Sequence, residues 1–362
     1  MQRKILLLLV GLLAAAAAAF SGAATAGHAS PGVVFTLGNQ PGGNAVLVYD
    51  RSPAGALTPA GSYPTGGLGS GGGLGSQGSL ILAAHAHRLF AVNAASNSVT
   101  EFKVDKDRLK WVTTVPSGGS TPISLTYRKH VLYVLNAGGA GNIAGFRQHG
   151  ESLTPLAGST QPLGAGSSGP AQVAFTPDAE ALVVTEKNSN TIDVYPLDRH
   201  EVAGAPTVSA SAGGTPFGFD FGGGHLLVSE AAGSASSYNV GPAGASAISG
   251  AVTTHQAAPC WLIATVDGKY AYTANAGSGS LSGFSVSPDG ALTLLDPSGV
   301  TASLGPTSHP LDETVSSDGE FLYNLTDGLH RITGFSINAN GSLTEVDQIA
   351  GLPIGAAGIA AS

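Results

Sequence analysis

Cysteine is almost absent from the 362-residue chain: Cys260 stands alone, so no intrachain disulfide can form and stability has to come from packing. Charge is scarce as well. Only 10% of residues are charged, 15 Lys and Arg stand against 23 Asp and Glu, and no basic cluster appears, which excludes a nucleic-acid-binding face. After Phe20 no long apolar run follows, so no membrane anchor is expected. Familiar chemical signatures are missing too. There is no Gly-x-Ser-x-Gly elbow and no Cys-His nucleophile pattern. The stretch GGLGSGGGLGSQG lacks the lysine and the strand-to-helix setting of a phosphate loop. His85 and His87 form a His-x-His pair that reads as a surface turn with no third ligand. The sequence therefore calls for no cofactor and no metal.

What is abundant is glycine, at 53 residues, with 21 prolines and 43% apolar residues. That apolar content argues against disorder, and the combination reads as turn-rich all-β structure. Residues Met1 to Ala26 read as a signal peptide: Arg3 and Lys4, an apolar run from Ile5 to Phe20, then Ala24-Thr25-Ala26 as a small-x-small cleavage site. A secreted or periplasmic protein cleaved near Ala26 is expected, with residues 27–362 as a single domain.

Internal repeats resolve the fold class. A short alternating strand with one aromatic recurs seven times, at Tyr49, Phe102, Phe146, Tyr195, Tyr238, Phe284 and Phe335. The gaps are 53, 44, 49, 43, 46 and 51 residues, the spacing of four-stranded propeller blades. A second series precedes it: β-rich strands ending at Asn39, Asn93, Asn136, Glu186, Glu230, Asn275 and Thr326. Asparagine suits that place because it tolerates left-handed turns and bonds its own backbone. A third series, Pro122, Pro170, Pro216, Pro259 and Pro310, precedes those turn residues by 14, 16, 14, 16 and 16 residues. The difference is even, so side-chain facing is preserved. Proline at a strand's first residue forfeits no ladder bond. Each repeat thus reads as strand a after the proline, b ending in Asn or Glu, c with the aromatic, and d (LTPA, LKWV, LTPL, LTLL, LTEV), with poorer d strands in the fourth and fifth repeats. The first repeat has no strand a before VVFTLGN, whereas the C-terminal GAAGIAAS looks like a lone one. The prediction is an all-β, seven-bladed β-propeller of four-stranded antiparallel blades, closed by the C-terminal strand completing the first blade.

In such a fold strand a lines the central channel, and the long d-to-a loops (Pro64 to Ser76, Gly158 to Gly169, Leu295 to Ser308) share one face with the end of b. Function is expected on that face. The second position after each proline gives Ser124, Gln172, Gly218, Trp261 and Asp312, with Ser79 equivalent in the second blade; Cys260, His309, Glu313, Glu186, Lys187 and Glu230 lie around them. Carboxylates, one histidine and one aromatic platform could serve acid/base chemistry or binding. The bland alternative, hydrogen bonds between neighbouring strands, applies to every one of them. Glu186 and Glu230 could polarise a ligand or hold a cation, or equally pair with Lys187. Cys260 beside Trp261 reads as a buried small residue.

FAVN, YVLN and YTAN, followed by glycine-rich turns and by SPDGALT, resemble the YVTN-type repeats of the lactonase-like seven-bladed propellers, the group of 6-phosphogluconolactonases and carboxymuconate-lactonising enzymes. The resemblance covers nearly all of the chain after Ala26. It implies opening or closing of a lactone by acid/base chemistry at the channel mouth. The segment that carries histidines in that group here reads Gly169-Pro170-Ala171-Gln172, without them. The group's later acidic residue is matched by Asp312. Two readings follow. The first is a monomeric binding propeller for a small molecule, glycan or protein, with Gln172, Trp261, Glu230, Lys187, Ser124 and Glu313 contacting the ligand. The second is a lactone hydrolase using Asp312, Glu186 and His309.

Overall fold

The computed structural model describes residues 31–106, 108–164 and 169–362; the leader Met1 to Ala26 lies outside them. Seven antiparallel sheets are arranged as seven blades in a ring. Blade 1 holds β1 (Gly32–Leu37), β2 (Ala45–Arg51) and β3 (Leu57–Pro64); blade 2 holds β4 (Leu80–Ala83), β5 (Arg88–Asn93), β6 (Ser98–Asp105) and β7 (Arg108–Pro116). Blade 3 holds β8 (Pro122–Arg128), β9 (Val131–Asn136), β10 (Asn142–His149) and a split outer strand, β11 (Ser152–Pro155) and β12 (Gln161–Pro162). Blade 4 is β13 (Pro170–Phe175), β14 (Ala181–Glu186), β15 (Thr191–Pro196) and β16 (Thr207–Ala210). Blade 5 is β17 (Pro216–Gly222), β18 (His225–Glu230), β19 (Ser234–Gly241) and β20 (Gly244–Thr253). Blade 6 is β21 (Pro259–Ala264), β22 (Tyr270–Asn275), β23 (Ser280–Val286) and the pieces β24 (Leu292–Leu294) and β25 (Ala302–Ser303). Blade 7 is β26 (Pro310–Val315), β27 (Phe321–Thr326), β28 (Arg331–Ile337) and β29 (Leu343–Ala350). The last strand, β30 (Ala357–Ala361), pairs with β1 and supplies the missing inner strand of blade 1.

The second strand of a blade is covered on both sides by its neighbours, so it is buried along its length rather than on alternate residues. Val131–Asn136 and Ala181–Glu186 are buried at every residue. The outer strands alternate only weakly because one side faces water. The fifth repeat corrects its reading: β20, weak in the sequence for want of large apolar residues, is ten residues long. Its register with β19 makes up for that lack through backbone pairing.

Each opening proline pairs with the last residue of the second strand: Pro122 with Asn136, Pro170 with Glu186, Pro216 with Glu230, Pro259 with Asn275, Pro310 with Thr326. In all five blades a β-bulge follows the proline at once, re-aiming the next side chains toward the channel and the neighbouring blade. The left-handed explanation for the terminal asparagines holds only at Asn39, whose φ is +54°. Elsewhere the side chain is a tether. Asn93 accepts from Thr65 Oγ1 and donates to Thr100 Oγ1, while Asn275 donates to Ser280 Oγ and Ser282 Oγ.

Candidate functional site

The inner strands would leave a bare row of backbone donors and acceptors along the channel. Side chains from adjacent blades cap it. Ser124 Oγ accepts from Val173 N (3.1 Å), Gln172 Oε1 from Phe219 N (2.7 Å), and Asp220 Oδ2 from Ala264 N (3.0 Å). Asp312 Oδ2 accepts from Gly358 N (3.1 Å), stitching blade 7 to the closing strand.

Across the long-loop mouth lies the glycine-rich connection from blade 1 to blade 2. Glycine is needed there because the strap runs against backbone: a Cβ on Gly69 would sit 2.1 Å from the Asn39 carbonyl carbon. The strap ends in Ser76 and Gln77, both buried in the channel. Ser76 Oγ donates to Ile123 O, and Ser76 O accepts from Trp261 Nε1 at 2.9 Å. Gln77 Nε2 donates to Leu262 O (2.7 Å) and Phe219 O (3.3 Å), while Oε1 accepts from Leu262 N (3.0 Å). One side chain therefore joins blades 2, 5 and 6 at the axis. Gly78, at φ +80°, turns the strap into β4.

Beneath Gln77 the channel holds a cavity of about 390 Å³ that opens toward the short-turn face. Its wall includes Gln77, Gln172, Thr126, Asp220, Asp312 and Thr314. Burial pushes the Asp220 carboxyl up to about 6 and that of Asp312 up to about 7, against the pull of the backbone N–H groups they accept from.

The residues singled out in the sequence fall into separate settings. Lys187, Phe217 and Trp261 stack under the strap: the Lys187 ammonium lies 4.8 Å from the Phe217 ring centre and donates to Gly75 O, and Phe217 tilts on Trp261 at 4.9 Å. Desolvation lowers the Lys187 pKa. No ion pair joins Lys187 to Glu186 or Glu230. Glu186 accepts from Gly164 N in the connection that enters its blade, and Glu230 accepts from Gly213 N and the Ser211 hydroxyl in the connection that enters its own, besides the Ser234 and Tyr238 hydroxyls. His309 is exposed in the turn before Pro310, with φ +46°. Asp312 and Glu186 thus bond to different backbone groups in two blades, and His309 stands apart in its exposed turn. Glu313 is buried, and the bulge after Pro310 puts its side chain in the blade 6–blade 7 interface rather than beside that of Asp312. Cys260 is buried, its thiol pushed up to about 11. Among the described residues no group of three or more His, Cys, Asp or Glu is placed to hold a metal, and no helix is long and apolar enough to cross a membrane.

Two residues of the site escaped sequence reasoning. Gln77 stands next to last in the glycine-rich stretch GGLGSGGGLGSQG, and nothing local marks it as an axial side chain. Asp220 was findable: the fourth residue after the proline is Thr126, Ala174, Ile263 or Thr314 in other blades, so the acid stands out in the repeat alignment.

No curated protein matches the chain by sequence. Among solved structures, the periplasmic gluconolactonase PpgL of Pseudomonas aeruginosa superposes with a TM-score of 0.70 at 18% identity, over 90% of this chain and 98% of its own. A Lactobacillus plantarum protein gives 0.74 at 17% identity over 91% and 99%. A Bacteroides uniformis protein provisionally named a 6-phosphogluconolactonase gives 0.69 at 17% over 90% and 98%. At such identities these likenesses show the fold. The family model described as "Lactonase, 7-bladed beta-propeller" matches residues 68–221 and 208–353, and the chain belongs to that family.

Proposed function

We propose that the protein is a binding propeller of the lactonase family whose ligand, a small neutral hydroxylated or cationic molecule, occupies the channel cavity beneath Gln77. The observation that carries this reading is the wall of that cavity, which bears the carboxyls of Asp220 and Asp312 and no Lys, Arg or His. A sugar phosphate would meet no positive side chain there. Lactone hydrolysis develops an oxyanion, which needs preorganised donors. The obvious ones, the backbone N–H groups of Val173, Phe219, Leu262, Ala264 and Gly358, are already bonded to side chains. The strap covers the long-loop mouth, so the ligand enters from the short-turn face rather than the face expected from loop lengths. Export belongs to the same reading, supported by the leader Met1 to Ala26 and the likeness to a periplasmic protein.

The test is a thermal-shift panel of polyols, amines, sugar lactones and sugar phosphates. Polyols or amines should stabilise the wild type, Asp220→Asn or Asp312→Asn should remove the effect, and no lactone should turn over. A second reading, a lactone hydrolase, is favoured by one observation: a carboxyl near pH 7 at Asp312 suits a general base. Lactone turnover abolished by Asp312→Asn would establish it and refute the first.

A further inference from the structure

Blade 7 departs from the other blades at one buried position. The residue after the channel-capping one faces the preceding blade, and in six blades it is apolar: Ile359, Leu80, Leu125, Val173, Phe219 and Leu262. In blade 7 it is Glu313, only 4% exposed, and neither carboxylate oxygen has a hydrogen-bond partner. Directly across the sheet on the same face stands Asn324, and across from that Thr333, both fully buried. Asn324 Oδ1 and Thr333 Oγ1 also lack partners. The amide cannot simply turn over, because Asn324 Nδ2 donates to Leu311 O at 3.1 Å.

The same row in blade 3 reads Leu125, Val134, Ala144. Where other blades carry a hydroxyl at the third place, it is used: Ser236 Oγ accepts from Ala251 N, Ser282 Oγ donates to Gly299 O, and Thr100 Oγ1 donates to Thr65 O. Blade 7 alone therefore lines its interface with blade 6 with a row of three side chains whose oxygen atoms have no hydrogen-bond partner. Buried oxygens without donors are costly, and a carboxylate is the costliest of them.

We propose that Glu313, Asn324 and Thr333 bind one dehydrated alkali cation between blades 6 and 7. Oxygens that share a cation stand farther apart than hydrogen-bonded ones and all act as acceptors, which fits a row of unpaired neighbours. Carboxylate, amide and hydroxyl oxygens are the donors hard cations take. One carboxylate neutralises one positive charge, whereas a divalent ion would leave a surplus charge buried. Asp312 adds none, because it points to the opposite side of the sheet and is held by Gly358 N. Burial and the charge of Asp312 push the Glu313 carboxyl well above the usual carboxylate range; a bound cation holds it ionised, whereas a water molecule offers only two hydrogens and no charge.

The test is the melting of the full chain in KCl, NaCl and choline chloride at equal ionic strength. Either alkali salt should raise Tm by roughly 2 °C or more over choline chloride. Glu313→Leu, the residue type of the other blades, should abolish the difference while folding normally. Equal melting of the wild type in all three salts, or the same alkali effect in Glu313→Leu, overturns the proposal. If that variant does not fold, wild-type crystals grown in RbCl decide. An anomalous peak within about 3 Å of Glu313 and Asn324 oxygens supports the site; water or empty density there refutes it.

Discussion

Removing Gly355–Ser362 deletes eight residues of 362, and the structure says the ring should not survive it. The lost strand buries Ile359, worth about 2–3 kcal/mol, and Ala356, Ala357 and Ala360, worth roughly 0.5–1 kcal/mol each. Thr36 Oγ1 loses Gly358 O, Val33 N loses Ser362 Oγ, Val33 O loses Ser362 N, and Asp312 loses Gly358 N, each about 1 kcal/mol net. Together these reach on the order of 8–10 kcal/mol, against total stabilities of about 5–15 kcal/mol for a folded protein. The truncated chain should show no near-ultraviolet circular dichroism and no calorimetric transition. A milder control, Ile359→Ala, should cost about 2–4 kcal/mol and lower Tm by about 3–6 °C for a chain of this length. A truncated protein that melts cooperatively within a few degrees of the intact one would show that the closing strand is a trimming and not a clasp.

Gln77→Ala removes three buried hydrogen bonds at the axis and should cost about 2–3 kcal/mol, read by calorimetry; a Tm unchanged within 1 °C would mean the strap bears no load. Stability should fall as pH rises from about 4 to about 7, because Asp220 and Asp312 keep their protons in the fold to about 6 and about 7 but lose them near 3.8 when unfolded. The combined variant Asp220→Asn with Asp312→Asn should make that slope shallower in pH-dependent denaturant melts, the buried Glu313 carboxyl, also raised, supplying what is left, and a slope as steep as that of the wild type sinks the assignment. The Cys260 thiol, buried and pushed up to about 11, should resist a thiol-reactive dye until the chain unfolds; rapid labelling of native protein would contradict its burial.

Much of the fold was legible because propeller blades repeat local signals. The aromatic of the third strand, the turn residue ending the second and the opening proline each recur once per blade, and the observed pairings join Pro122 to Asn136 and Pro310 to Thr326 as the spacing implied. Strand β20 was obscured because small residues there satisfy the ladder through backbone alone. The site was less legible. Its candidates fall into separate settings, because whether a polar side chain lines the channel or meets a neighbour's N–H depends on the bulge after each proline, and a bulge has no residue signature here.

The sequence by itself determined the seven blades, their strand order and the closure by GAAGIAAS, because those follow from periodicity and from the need to cover every sheet edge. Only the tertiary structure decided that Gln77 stoppers the channel, that Glu186 and Glu230 tether the connections that lead into their blades, and that Glu313 faces the interior without a hydrogen-bond partner. Those facts rest on contacts between residues up to 185 positions apart, made by how the ring closes and invisible to any local pattern.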